Sequence, residues 1–448
     1  MPPTPSASAA RIRRHWNVLC EKIGERYSGT EGEQRAADYI ERQFRQFGLE
    51  NVHQHRFEFP NWEFSRCAVR AGRGGRMKRV TTGRPFCYTV STPPKGVRGR
   101  LVYLQSGTDL DFRQETRGRI GLLIGSLALS DPQLKQHVVR AGLRGLLVVD
   151  ARLPVAWITT AGCAPQWIDG YRIPTASISY FDAHELVRSA ADGPVTIHLT
   201  IKARTFPAMS QNVVGEVIGS DRADEIIVVS GHHDCVWGNV GADDNGSGVV
   251  FTLELSRLFA GRRPRRTIRF ISYGVEEKLS IGSYLYMRAL TPRERRRFVL
   301  SVNADLIAST TGTDTVYVTG TASLEKVARD CWTRCRHPAA VERLICQYSD
   351  HFPLNICGVP SLWLTRPSML GGGYWHLHSV HDNPENVSVR VISRTINTTR
   401  RFIAKVADAP RLPYKRGIDA RVMKEVRAMA KREFRHPWSV GQFRYGDG

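Results

Sequence analysis

The chain has 448 residues, of which 42% are hydrophobic and 24% are charged. This length and apolar content exclude an intrinsically disordered protein and indicate two or three domains. Lysine and arginine exceed aspartate and glutamate by 22, but the cations are spread along the whole chain. The sequence therefore predicts a generally basic surface and no specific nucleic-acid site.

Targeting signals and cysteine usage indicate the cellular compartment of a protein. The first residues, MPPTPSASAARIRRHW, lack the apolar centre of a secretory signal. No run reaches the roughly 20 apolar residues that span a bilayer, so we expect no membrane span and a cytoplasmic protein. The nine cysteines are an odd number spread through a large chain, which favours reduced thiols over a disulfide framework.

Two amphipathic helices are predicted before residue 60. The second helix begins at Thr30, which forms a predicted capping box with Glu33, and it ends at Gly48. An extended segment, Val52–Phe59, follows. The apolar face of the first helix consists of Ile12, Trp16, Leu19 and Ile23.

Residues 61–205 have a different texture, with short β-type runs separated by turns rich in glycine and proline. One helical stretch, Pro132–Ala141, lies among them. The segment predicts a small inserted α/β domain. Because it contains few candidate catalytic or metal-binding side chains, we expect it to act as a lid or an interaction module.

Residues 206–408 alternate between β-branched strands and helices. This alternation predicts an α/β fold with a mixed, mostly parallel sheet flanked by helices on both faces. We assign residues 1–60 and 206–408 to one domain, and residues 409–448 to a basic C-terminal extension with one amphipathic helix. The predicted strands are Asn212–Ile218, Ile226–Ser230, Thr267–Ser272, Val299–Asn303, Thr315–Val318 and Ser361–Thr365.

Imidazoles and carboxylates follow the predicted strands of this domain. In open α/β sheets, ligands bind beyond the carboxyl ends of the strands, so these side chains should lie close together. Imidazole with carboxylate is the ligand set of zinc or a similar divalent metal, and the carboxylates are too many for one closed tetrahedral site. We therefore predict two metals that share a bridging carboxylate. The side chains are His232, Asp234, Asp243, Glu276, Glu277, Asp305 and His378.

Each of these pieces has an ordinary explanation when it stands alone. Glu276 and Glu277 could be a solvated charge pair, and the segment Asp243-Asp244-Asn245 could be a helix N-cap. Asp305 is harder to explain in this way, because a carboxylate at the end of an apolar strand needs a partner. The joint occurrence at successive strand ends is what favours the metal site.

The motifs GHHDC, GADDNGSG, VEEKLSIGS, SVNAD and HLHSVHDNPENV resemble those of the co-catalytic di-zinc aminopeptidase family. That family also contains glutamate carboxypeptidase, the glutaminyl cyclases and the transferrin receptor. The resemblance extends over residues 211–408, and the inserted domain resembles the protease-associated domain. It implies a zinc-exopeptidase fold that binds two Zn²⁺ ions and acts on peptides.

The resemblance also implies a role for each site residue. The metal ligands would be His232 and Asp305 on one zinc, Glu277 and His378 on the other, and Asp243 as the bridge. A cis peptide bond would follow the bridging aspartate. Glu276 would be the general base, and Asp234 would hold the far nitrogen of His232.

Two features depart from the family pattern. Leu279 occupies a position where the family commonly has glycine. Members of the family often have a tyrosine near the second histidine that supports the oxyanion, but here the residue before His378 is Leu377. The residue that supports the oxyanion is therefore left open among Tyr348, Tyr374 and His376.

The resemblance favours an aminopeptidase that hydrolyses the N-terminal peptide bond. The alternatives are a carboxypeptidase of the same family, in which Arg366 could bind a terminal carboxylate, and a catalytically silent binding homologue. A glutaminyl cyclase would use one zinc, so the full ligand set argues against it.

Overall fold

A computed structural model describes residues 6–73, 76–124, 131–149, 155–159, 164–167, 170–368 and 373–434. Part of the predicted C-terminal extension, residues 435–448, lies outside these ranges. The helices are α1 Ala9–Trp16, α2 Glu31–Phe47, α3 Pro132–Arg140, α4 Tyr180–Ala191, α5 Gly246–Phe259, α6 Ile281–Ala289, α7 Pro292–Arg295, α8 Ala322–Arg334, α9 His351–Ile356, α10 Val389–Asp408 and α11 Ala420–Glu433.

The described residues also form fourteen strands. They are β1 Glu50–Arg73, β2 Arg76–Arg79, β3 Arg84–Pro85, β4 Val97–Tyr103, β5 Ile120–Ile124, β6 Gly145–Val149, β7 Thr175–Ser177, β8 Thr196–Val217, β9 Arg222–His232, β10 Arg266–Tyr273, β11 Phe298–Ala304, β12 Thr315–Thr319, β13 Ala340–Arg343 and β14 Ser361–Thr365.

The chain divides into two units. The described residues of Met1–Phe59 and Met209–Gly441 form the first unit, and those of Pro60–Ala208 form the second. In the first unit the strand order is β13-β12-β14-β11-β9-β10-β8. The four central strands β14, β11, β9 and β10 are parallel, whereas β8 and β12 pair antiparallel to their central neighbours. The sheet is therefore mixed and mostly parallel, as predicted.

Both faces of this sheet are covered by helices. Along β9, Ile227 and Val229 pack in one hydrophobic core, whereas Ile226 and Val228 pack in another. Successive side chains of a strand point to opposite faces, so this alternation requires apolar layers on both sides. The larger core receives residues from α1, α2, α5, α8 and α10, and the smaller core receives residues from α6 and α9.

The C-terminal helix α11 packs on the first unit. Its following residue Phe434 is buried and stacks on Tyr284 of α6 and Phe352 of α9. From the sequence alone, this amphipathic helix could pack on the body of the protein or on a partner. These ring contacts place it on the body.

The two N-terminal helices form, with one local difference from the prediction. Thr30 is the N-cap of α2, and Gly48 ends the helix with a φ of 80°. The predicted capping box is wrong, because Thr30 Oγ1 donates to Tyr27 O and Glu33 Oε2 accepts from Gly29 N. The side chains thus stabilise the turn before the helix.

The second unit is a small α/β structure with its own core. Strands β4, β5, β6 and β7 are parallel, and β8 and β3 pair antiparallel at their two edges. Its core contains Leu122, Leu147 and Ile197, all fully buried. Within the described residues of the chain, no helix is long and apolar enough to cross a membrane, and eight cysteines are free thiols.

Candidate metal centre

The carboxyl ends of the parallel strands bring the predicted side chains together. Strand β9 ends at His232, and its neighbour β10 runs into the turn that carries Glu276 and Glu277. Its other neighbour, β11, is followed by Asp305. These four side chains are at least nine-tenths buried. The sheet thus gathers imidazole and carboxylate groups from loops that are distant in sequence.

Two imidazoles stand on either side of one carboxylate. His232 Nε2 lies 3.3 Å from Asp244 Oδ1, and His378 Nε2 lies 3.2 Å from Asp244 Oδ2. Glu277 Oε2 lies 3.0 Å from His378 Nε2. The two oxygens of Asp244 therefore face one histidine each.

The His232 side of the centre has two further carboxylates. Asp305 Oδ1 and Glu276 Oε2 each lie 3.6 Å from His232 Nε2. Ser349 Oγ donates to Asp305 Oδ2 at 2.7 Å, and Ser280 Oγ donates to Glu276 Oε1 at 3.1 Å. Each carboxylate thus has one oxygen held by a serine and the other directed toward His232.

The geometry does not place Asp243 at the bridging position. Asp243 Oδ1 accepts from Ala308 N at 2.8 Å, whereas the next residue, Asp244, lies between the two histidines. The cis peptide bond is likewise one residue later than expected, between Asp244 and Asn245. The prediction for Asp243 is wrong because adjacent residues of a turn point in different directions, and a motif does not say which of two aspartates points inward.

Asp382 holds the turn that carries Asp244. Its two carboxylate oxygens accept from Asp243 N at 2.7 Å and from Asp244 N at 3.0 Å. Asp382 lies four residues after His378, so one segment provides both an imidazole and the support of the turn opposite. No role for Asp382 could be predicted from the sequence, because this residue acts through contacts with backbone N–H groups.

Asp234 connects several parts of the centre. Its Oδ1 lies 3.4 Å from His232 Nδ1 and accepts from Glu276 N at 3.0 Å. Its Oδ2 accepts from Glu277 N at 3.3 Å and from Ser28 Oγ at 2.8 Å. Asp234 therefore contacts the far nitrogen of His232 through its carboxylate and, at 3.1 Å, through its backbone oxygen, and it also fixes the Glu276–Glu277 turn.

The electrostatics of the centre are dominated by negative charge. Burial lowers the pKa of His232, but Glu276 and the other nearby carboxylates outweigh it and hold that pKa well above 6.5. Burial likewise lowers the pKa of His378, and here Glu277 and Asp244 outweigh it. Burial and the Asp244 charge raise the pKa of Glu277 to about 7. Five buried carboxylates surround two imidazoles, which favours a bound cation.

The donor set fits zinc. His232, Asp244 and Glu277 each offer a ligand atom, and these atoms lie within 4.8 Å of one another. His232 Nε2, Glu277 Oε1 and Asp305 Oδ1 are buried without a hydrogen-bond partner. A buried polar atom without a partner is costly, and coordination to a metal removes this cost. Imidazole nitrogen and carboxylate oxygen are both ordinary ligands of zinc.

Other residues noted in the sequence have defined places. His233 is buried with Nδ1 3.1 Å from Ser272 Oγ, outside the cluster. Leu279 has a φ of 69°, in the left-handed region that favours glycine, which explains why glycine suits this position. The Tyr374 hydroxyl hydrogen-bonds with Thr365 Oγ1, while Tyr348 is partly exposed.

Comparison with known proteins supports the resemblance. Residues 212–403 match Peptidase family M28. Mouse carboxypeptidase Q is 30% identical over 60% of this chain and 59% of its own, and aminopeptidase YwaD of Bacillus subtilis is 26% identical over 83% of this chain and 78% of its own. The chain thus spans about three fifths of the length of mammalian carboxypeptidase Q.

Solved structures share the fold. A zinc aminopeptidase from Bacillus subtilis aligns with a TM-score of 0.74 at 21% identity, covering 93% of this chain and 99% of its own. An aminopeptidase from Aneurinibacillus aligns with a TM-score of 0.73 at 21% identity, covering 92% and 97%. The strand-end cluster, the shared fold and the match over residues 212–403 together make this part of the chain similar to Peptidase family M28.

Proposed function

We propose that the chain is a zinc-dependent aminopeptidase that removes N-terminal residues from peptides. One observation carries the proposal: a single carboxylate, Asp244, lies between two imidazoles, and Glu276 lies beside them. The match to Peptidase family M28 and the aminopeptidase relatives support the same reaction class.

We further propose two zinc ions per chain. His232 and Asp305 would hold one, Glu277 and His378 would hold the other, and Asp244 would bridge them. The support is the arrangement of these five side chains in two groups that share only Asp244.

The chain's own residues would divide the catalytic work. When bound, zinc lowers the pKa of a coordinated water and polarises a carbonyl. Glu276 has Oε1 held by Ser280, which leaves Oε2 to accept the proton of the attacking water and deliver it to the leaving amine. Burial raises the pKa of Glu276 well above 4.5, which suits a group that must both accept and donate a proton. Asp234 keeps His232 oriented throughout.

The pairing of Arg366 favours the aminopeptidase over the carboxypeptidase. A carboxypeptidase needs a cation for the terminal carboxylate, and Arg366 is the candidate in the sequence. In the structure its guanidinium donates to Ser309 O at 2.9 Å and pairs with the Asp314 carboxylate. Asp314 is itself buried and also contacts His337. Arg366 is therefore already occupied within the protein.

A carboxypeptidase remains the second candidate, because mammalian carboxypeptidase Q is among the relatives. A catalytically silent binding homologue is the third candidate, and the presence of a full set of donor side chains argues against it.

Substrates blocked at one end distinguish an aminopeptidase from a carboxypeptidase. An aminopeptidase hydrolyses a dipeptide amide with a free amine and leaves the N-acetylated dipeptide acid intact.

The reverse preference would assign a carboxypeptidase, and no hydrolysis of either substrate after loading with zinc would favour the binding homologue. Elemental analysis of the dialysed protein tests the metal separately. Two zinc ions per chain support the bridged centre, whereas one ion at saturation contradicts it.

A further inference from the structure

The second unit carries a disproportionate share of the positive charge. Pro60–Ala208 contains 21 lysine and arginine residues against 10 aspartate and glutamate residues. One third of the chain therefore holds half of the net charge of +22. The sequence shows this charge as scattered, but the fold of the unit brings part of it together.

Several of these lysine and arginine side chains line a surface cavity of about 660 Å³. This volume is in the range of cavities that bind small molecules or short peptide segments. No carboxylate is among the described residues that form the cavity, which we call the basic groove. They are Met77, Lys95, Gly96, Val97, Arg98, Arg144 and His198.

The strand register places two residues of the groove opposite each other. In the β4–β8 pair, Arg98 lies directly opposite His198, so both side chains project from the same face. His198 Nε2 also lies 2.9 Å from the backbone oxygen of Lys95, a third residue of the groove. Residues of β2, β4 and β8 therefore meet at this groove.

Among the described residues of the unit, the groove cations form no ion pair. The ion pairs between described residues involve other cations, such as Arg73 with Asp192 and Arg204 with Glu63. Among the described residues, no carboxylate lies within ion-pair distance of Lys95, Arg98 or Arg144. Arg144 Nη1 instead donates to the backbone oxygen of Arg98 at 3.2 Å, which places the Arg144 guanidinium against strand β4.

We propose that the basic groove binds acidic segments of polypeptides. Guanidinium groups hold carboxylates through paired hydrogen bonds, and Met77 and Val97 offer apolar contacts between the cations. Single-stranded nucleic acid is less suited, because no aromatic ring lines the groove for bases to stack on. The site is built entirely from residues of the second unit, so it does not depend on the metal centre or on its activity.

Binding of a labelled peptide tests the proposal. The probe is a short peptide of alternating glutamate and valine, acetylated at the N-terminus to prevent cleavage by an aminopeptidase and labelled at the C-terminus. With the full-length protein, fluorescence anisotropy should show binding that weakens as salt rises. The double substitution Arg98→Glu with Arg144→Glu should lower the affinity by about tenfold or more.

The control changes the same charge elsewhere on the unit. Arg113→Glu with Arg172→Glu leaves the groove intact, so its affinity should stay within about twofold of the wild type. Arg98→Gln with Arg144→Gln removes the charges without reversing them, and it replaces the first variant if that one does not fold.

Three results would overturn the proposal. The first is no binding by the wild type, or equal binding of a glutamine–valine peptide. The second is an equal loss in the groove variant and the control, which would indicate a response to net charge alone. The third is tighter binding of duplex DNA through Arg98 and Arg144, which would make the groove a nucleic-acid site.

Discussion

Asp243 and Asp244 are adjacent carboxylates with different surroundings, and substitution separates their roles. Asp244→Asn removes one negative charge between His232 and His378, so we expect zinc content to fall below two ions per chain and turnover to fall by at least about 100-fold. Asp243→Asn keeps an oxygen that can accept from Ala308 N, so zinc content should remain normal. Elemental analysis and steady-state kinetics measure both variants. Zinc loss in the Asp243 variant alone would restore that residue as the bridge.

Glu276 and Glu277 form a second adjacent pair. Glu277 lies against His378, whereas Glu276 Oε2 faces the centre with its other oxygen held by Ser280. Glu276→Gln should therefore leave zinc content and KM nearly unchanged while kcat falls by about 10²–10⁴-fold, the usual contribution of a positioned acid–base group. Glu277→Gln should lower zinc occupancy, with activity partly recovered by added metal. Near-normal kcat in the Glu276 variant would refute its role as the base.

At the scale of elements, the N-terminal turn before α2 supports the centre from a distance. Ser28 Oγ donates to Asp234 Oδ2, and Arg26 donates to the backbone oxygens of His233 and Gly241. The same short segment thus contacts the loop after β9 and the turn that precedes Asp244. A turn that looks peripheral in the sequence therefore contributes to the placement of the metal ligands.

Ser28→Ala tests this contribution. Loss of a hydrogen bond to a charged acceptor costs about 1.5–3 kcal/mol, and loss of such outer support weakens metal binding by about 10–100-fold. Thr30→Val is the matched control, since Thr30 Oγ1 donates to Tyr27 O in the same turn. Competition with a chelator should show weaker zinc binding in the Ser28 variant and unchanged binding in the control. Equal zinc affinity in both variants would contradict the prediction that Ser28 supports zinc binding through Asp234.

The contact between α1 and α2 gives stability a pH dependence. His15 Nδ1 lies 2.6 Å from the Tyr39 hydroxyl, and burial lowers the pKa of His15 from 6.5 to about 4. The unfolded chain protonates His15 near pH 6.5, whereas the folded chain protonates it only near pH 4. The contribution to the free energy of unfolding is therefore greatest above pH 6.5 and decreases as the pH falls toward 4. The cost is about 2 kcal/mol between pH 7 and pH 5.

A His15→Gln variant isolates this effect. Buried His233 and His351 also have lowered pKa values and add to the acid sensitivity of both proteins, so the comparison rests on the difference between them. Thermal unfolding at pH 7 and pH 5 should show a smaller loss of stability in the variant than in the wild type. The same loss in both would mean that His15 does not titrate in this way.

The strands and helices around the centre could be predicted because each depends on a pattern of neighbouring residues in the sequence. Apolar runs identified β9 and β14, and the residues at the strand ends followed from the direction of a parallel sheet. The choice between Asp243 and Asp244 could not be predicted, because it depends on the contacts of their turn with Asp382 and Ala308. Both partners are at least 60 residues away in sequence, where no local pattern indicates them.

At the scale of the whole molecule, the two units have separate cores. Leu147 lies in the core of the second unit, while Ile227 and Phe270 lie in the larger core of the first. All the proposed metal ligands belong to the first unit. Units with independent cores commonly unfold in separate transitions, so a single unfolding free energy does not describe such a chain.

This separation predicts how the protein responds to loss of metal. A ligand that binds only the folded state at about 1,000 times its Kd stabilises by about 4 kcal/mol, so removal of zinc should lower the first unit's Tm by on the order of 10 °C. The second transition should not move. Leu147→Ala identifies that second transition, because a cavity at this buried position costs about 2–5 kcal/mol in the second unit alone. Differential scanning calorimetry with and without chelator measures both. If chelation and Leu147→Ala shift the same transition, the two units fold as one and the assignment of metal-dependent stability to the first unit is wrong.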